Sequence, residues 1–125
     1  MAMTLYGIKN CDTVRKARRW LETNGISHRF HDFRSDGLEA AELEQWSEQL
    51  GWEPLLNRRS TTYRQLSAEQ TESLDRQRAI ALMLEQPTLI KRPVAVFQGE
   101  VRVGFRESDW QDWLAPIGKG NSQGS

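Results

Sequence analysis

The first apolar run, "MTLYGI", ends at Lys9-Asn10, the pattern of a short buried strand leading into a loop. From Val14 the period changes. Val14, Ala17 and Leu21 recur at helical spacing, while Arg15, Lys16, Arg18, Arg19 and Glu22 fill the other faces. That predicts an amphipathic helix, closed by Asn24-Gly25 in the manner of a C-terminal cap. "ISHRFHDF" alternates as a second strand reaching Phe33. If the two strands are parallel neighbours, the crossover helix is right-handed. The junction of strand one and helix one then lies at the carboxyl edge of the sheet, where α/β proteins gather ligands.

A second helical pattern follows Asp36-Gly37, with Leu43, Trp46 and Leu50 on one face and Gly51 as its stop. "WEPLLNRRSTTYRQL" is irregular, and Pro54 bars a long helix, so a short helical turn and a loop are expected. Ser67-Ala68-Glu69-Gln70 has the form of a capping box. It predicts one third helix that carries Leu74, Ala79, Ile80, Met83 and Leu84 inward and stops before Pro87. "VAVF" and "VRV" read as a hairpin joined by the three residues Gln98-Gly99-Glu100. Ser108 to Gln111 repeats the capping-box spacing ahead of Trp110, Trp113 and Leu114, a final short helix. The order predicts an α/β protein with a mixed four-stranded sheet, a thioredoxin-like sandwich with a helical insertion.

Composition narrows the possibilities. A chain of 125 residues is about one domain, expected over 1–117 with the insert at about 36–86 and a disordered tail, 118–125. No segment approaches the roughly 18 uninterrupted apolar residues of a membrane helix, and the start lacks a basic secretory signal, so a cytoplasmic protein is expected. Seventeen Lys and Arg balance seventeen Asp and Glu, which leaves no overall field for nucleic acid or anionic lipid. One cysteine excludes an internal disulfide, and with only two histidines it makes a metal site an unpromising expectation. His28 and His31 would face opposite sides of a strand.

The single cysteine, Cys11, falls between Asn10 and Asp12 at the predicted start of helix one. A lone cysteine in such a domain is ordinarily a small buried hydrophobe. At a helix N-terminus, however, unpaired backbone N–H groups stabilise a thiolate, with Lys9 and Arg15 assisting and Asp12 opposing unless its side chain turns away as a cap. Arg92 precedes Pro93 at the mouth of a strand. It reads either as a solvated strand-end charge or as a fork for an oxyanion, carboxylate or thiolate. The default for that X-Pro bond is trans. Arg58, Arg59, Arg64, Arg102 and Arg106 are further candidates, and Arg106 follows Gly104-Phe105, a loop able to aim it inward.

Four stretches in order, "YGIKNCDTVRKA", "LLNRRSTTYRQL", "PTLIKRPVAVF" and "VRVGFRESDW", resemble the arsenate reductase family of the glutaredoxin-coupled type, with its Spx and YffB relatives. The resemblance runs from Thr4 to about Leu114 and is nearest to the YffB branch. It implies that Cys11 is the nucleophile, assisted by Arg92, that Asn10, Arg59, Pro93 and Arg106 form a glutathione or anion pocket, and that Pro93 is cis. Two departures stand out. Cys11-Asp12-Thr13-Val14 replaces the Cys-x-x-Cys of the Spx relatives, and Asn57 follows Leu55-Leu56 where the arsenate reductases carry arginine. The expected activity is therefore a monothiol reductase with glutathione as co-substrate, a small thiol, disulfide or oxyanion as substrate, and glutaredoxin as a candidate partner. An arsenate reductase and a Spx-like regulator that binds RNA polymerase are its rivals.

Overall fold

The computed structural model describes residues 3–115. Strand β1, Met3–Gly7, leads to α1, Asp12–Thr23, and β2, His28–Asp32. The helical insertion follows as α2, Ala40–Leu50, α3, Thr61–Arg64, α4, Ala68–Glu72, and α5, Arg76–Glu85. A 3₁₀ turn at Pro87–Leu89 leads into the hairpin of β3, Val94–Phe97, and β4, Glu100–Val103, and α6, Glu107–Leu114, completes the order. The sheet runs β2-β1-β3-β4, with β1 parallel to β2 and both other pairings antiparallel. This is the mixed, thioredoxin-like sheet with a helical insertion that the element order predicts. Residues 118–125, expected as a tail, lie outside the described residues.

Strand alternation divides the core between the two faces. Met3 and Leu5 of β1 and Ala95 and Phe97 of β3 pack with Val14, Ala17 and Leu21 of α1 and Trp110 and Leu114 of α6. Tyr6, Val94, Val96 and Val101 point the other way, onto Leu43 and Trp46 of α2 and Ala79, Ile80 and Met83 of α5. Helix α1 comes close enough to the sheet that a Cβ on Gly7 would sit 2.7 Å from Val14 Cγ2. Glycine at the end of β1 therefore sets the spacing of the layer that carries Cys11.

Three local expectations need correction. The single third helix is two: Asp75 is extended and its side chain accepts a hydrogen bond from Arg78 N at 2.8 Å, so a second N-cap starts α5 after α4 has ended. The capping box at Ser67 does form. The hairpin loop is two residues, because Phe97 pairs with Glu100, and both Gln98 (φ 52°) and Gly99 (φ 81°) adopt the left-handed turn conformation. Finally, α6 begins at Glu107 with Arg106 as N-cap, which leaves Ser108 inside the first turn rather than capping it. Burial of Trp110 and its edge-on contact with Phe105, 4.9 Å between ring centroids, accompany that earlier start.

Candidate active site at the end of the first strand

The loop after β1 is held from beneath by a buried carboxylate. Asp32, at the end of β2, accepts from Lys9 N at 3.1 Å through one oxygen and from Arg34 N at 2.7 Å and Ser35 N at 3.4 Å through the other. Burial alone would raise its pKa. The N–H groups of Arg34, Lys9 and Ser35 and the charge of Arg34 outweigh burial and hold it below the ordinary carboxylate value. Phe33 N also donates to Gly7 O at 2.9 Å, so the ends of the two parallel strands are tied together.

On this base Cys11 is the N-cap of α1, with φ −106° and ψ 124°. Its carbonyl accepts from Arg15 N at 3.0 Å, its own N–H donates to Ile8 O at 3.2 Å, and its side chain, partly exposed, makes no capping hydrogen bond. Asp12 is the first helical residue rather than the cap, and its carboxylate pairs with Arg15. That pair engages one of the two charges expected to assist the thiol, Arg15, together with the one expected to oppose it.

Cys11 lines a cavity of about 340 Å³ with Thr13, Asn57, Lys91, Arg92, Gly104 and Phe105. Besides the Cys11 segment, three chain segments meet here for backbone reasons. An isolated bridge pairs Leu56 with Ile90, flanked by Asn57 N to Leu89 O at 2.8 Å and Lys91 N to Leu55 O at 2.7 Å. Gly104 N donates to Pro93 O at 2.8 Å, which draws the β4–α6 turn against the start of β3.

Arg92 is anchored within that frame. Its Nη1 donates to Thr88 O at 3.1 Å and Ile90 O at 3.2 Å, while its Nε is buried without a partner among the described residues. Nη2 and Nε are therefore uncommitted donors of a guanidinium whose plane the backbone already holds. The Arg92-Pro93 peptide is cis, against the default for the dipeptide and in agreement with the family resemblance.

A second cavity of about 350 Å³ shares Lys91, Gly104 and Phe105 with the first and adds Val103, Arg106 and Asp109. Of the residues singled out from sequence, Cys11 and Arg92 are thus brought together and Arg106 stands one cavity away. Pro93 is buried, Asn10 and Arg59 are exposed, and none of the three lines either cavity. Asn57, noted in the sequence only for not being arginine, is on the cavity wall, where its Oδ1 accepts from Arg59 N at 3.0 Å. Lys91, Thr13 and Phe105 were not foreseen, although Lys91 and Phe105 directly precede singled-out arginines. Among the described residues no group of three or more His, Cys, Asp or Glu side chains is placed to hold a metal ion, and no helix is long and apolar enough to cross a membrane.

Comparison with known proteins agrees with this fold. An uncharacterized protein of Haemophilus influenzae is 48% identical over 109 residues, covering 87% of this chain and 96% of that protein. A solved structure named YFFB protein superposes with a TM-score of 0.84 at 42% identity, covering 94% of this chain and 99% of the other. The global transcriptional regulator Spx of Listeria innocua is 28% identical over 114 residues, covering 90% of this chain and 86% of the regulator. The ArsC family model matches residues 6–113, nearly the whole described structure, and the chain belongs to the ArsC family.

Proposed function

We propose that the protein is a glutathione-dependent monothiol reductase with Cys11 as its nucleophile. One observation carries this reading: the only cysteine in the sequence opens on a cavity walled by Arg92 and Lys91, with no second thiol in the chain to resolve an intermediate. The Cys11 thiolate attacks one sulfur of a disulfide, forming a Cys11 mixed disulfide and breaking the original S–S bond. The departing thiolate takes up a proton, so that the substrate half is reduced and Cys11 is oxidised. A glutathione thiolate then attacks the mixed disulfide and displaces Cys11, carrying away the oxidised sulfur. Arg92 contributes positive charge close to the reacting sulfurs, and glutaredoxin is an alternative acceptor for the second step. The reading requires the glutathione-rich, reducing setting of the cytoplasm.

Family membership favours a second reading, arsenate reduction through the same cysteine. The neutral amide of Asn57 on the cavity wall, where the arsenate reductases carry arginine, weighs against it. Incubation of wild type and Cys11→Ser with oxidised glutathione, followed by intact mass measurement, tests the proposal. A single glutathione adduct on the wild type alone is the expected result. Absence of the adduct from pH 6 to 9 sinks it, and is also what a regulator acting without chemistry predicts. Arsenate turnover in a glutaredoxin-coupled assay, without reduction of mixed disulfides, would transfer the assignment to the second reading.

A further inference from the structure

Lys91 stands where the two cavities meet and lines both. Its backbone is pinned by the 2.7 Å hydrogen bond to Leu55 O, and its stem runs across Gly104. A Cβ on that glycine, which has φ +80°, would come within 3.3 Å of Lys91 Cε and 3.9 Å of Nζ. The ammonium therefore lies over a residue that the two cavities share.

The charges around it do not cancel. Among the described residues, neither Lys91 nor Arg106 takes part in an ion pair. Asp109, the carboxylate lining the second cavity, is already gripped by Arg102, whose Nη1 reaches its two oxygens at 2.9 and 3.1 Å. Arg102 also pairs with Glu100, Nη2 to Oε2 at 2.9 Å, so the two carboxylates share one cation; with Lys91 and Arg106 added the group is still net positive, which favours an anion. The second cavity shares Lys91, Gly104 and Phe105 with the Cys11 cavity, so the two are adjacent and within the span of one small molecule.

We infer that Lys91 is a specificity-determining residue: it holds a carboxylate of the thiol or disulfide whose sulfur meets Cys11, so that acidic partners are preferred to neutral ones. This rests on the proposed thiol chemistry only for the fate of the sulfur; the carboxylate subsite can be tested without any reaction.

S-Methylglutathione keeps the carboxylates of glutathione and has no reactive sulfur. Titrated into wild type, Lys91→Gln and Lys91→Arg, it is expected to bind Lys91→Gln about five-fold more weakly than wild type, with Lys91→Arg restoring most of the loss. In parallel, intact mass gives the rates of Cys11 adduct formation with oxidised glutathione and with the neutral 2-hydroxyethyl disulfide. The ratio of these two rates is expected to fall by a similar factor in Lys91→Gln. An affinity indifferent to Lys91, no binding to wild type, or equal slowing toward both disulfides overturns the inference. If affinity follows Lys91 while neither disulfide forms an adduct, the carboxylate subsite stands and the proposed reductase chemistry falls. If adducts form while affinity ignores Lys91, the reverse holds.

Discussion

Asp32 accepts a hydrogen bond from the backbone N–H of Lys9 at 3.1 Å, across 23 positions of sequence, and so fixes the loop that delivers Cys11 to the start of α1. A buried carboxylate that serves three backbone donors cannot be removed without leaving them unpaired. Asp32→Ala is expected to cost about 1–3 kcal/mol in urea unfolding. It should also change the rate at which iodoacetamide alkylates Cys11 in the folded protein. Loss of stability with an unaltered alkylation rate would separate Asp32 from the site.

The same group gives a pH dependence of known sign. Its folded pKa is lowered, so its contribution to stability is complete above the ordinary carboxylate value of about 4 and is lost as pH falls through the lower folded value. Urea midpoints measured from pH 6 down to pH 2.5 should fall less steeply for Asp32→Asn than for wild type. Parallel curves would contradict the assignment.

At the alkaline end, Tyr6 supplies the opposite case. Burial first, then the nearby Glu42 carboxylate, push its phenol up to about 12. The folded state therefore binds more protons than the unfolded state between about pH 10 and 12, and stability declines across that window. Tyr6→Phe should remove this decline, as read from denaturation midpoints at pH 9 and 11.

Gly7 and Val14 set how closely α1 lies on the sheet. Gly7→Ala places a methyl 2.7 Å from Val14 Cγ2, a contact that a stiff β-branched side chain cannot easily vacate. A loss of about 1–3 kcal/mol is expected. The double variant Gly7→Ala, Val14→Ala should lose less than the sum of the two single losses. Strict additivity would show that the backbone, not Val14, absorbs the strain.

Arg92 is expected to act through shape as well as charge. Lysine at 92 keeps the charge, but it cannot reproduce a planar group anchored on Thr88 O and Ile90 O with further donors to spare. Arg92→Lys should slow formation of the Cys11 mixed disulfide about 10- to 100-fold with little change in the thermal midpoint. Retention of the wild-type rate would remove Arg92 from the proposed mechanism.

The sandwich was legible because its signals are local and repeated. Val14, Ala17 and Leu21 mark a helix by spacing alone, Asn24-Gly25 closes it, and β-branched runs mark the strands. The errors fell where two local signals compete. Ser67 and Asp75 each offer an N-cap eight positions apart, and apolar periodicity runs through both, so nothing short of the fold shows that the helix breaks between them. The Ser108 box lost for a related reason: the placement of Trp110 in the core goes with a helix already begun one residue earlier.

By itself, then, the amino-acid order determined most of the elements and the position of Cys11 at a strand-to-helix junction, since each depends on neighbours within a few turns of chain, while the element order along the whole chain carried the mixed sheet and the family likeness. Only the tertiary structure decided which charges surround the thiol. The Leu56–Ile90 bridge and the hydrogen bond from Gly104 to Pro93 bring Asn57, Lys91, Arg92 and Phe105 to one cavity, whereas Arg15 pairs with Asp12 and Arg59 lines neither cavity. The physical reason is that a side chain's address in space depends on backbone hydrogen bonds made across dozens of residues, and no local pattern records those.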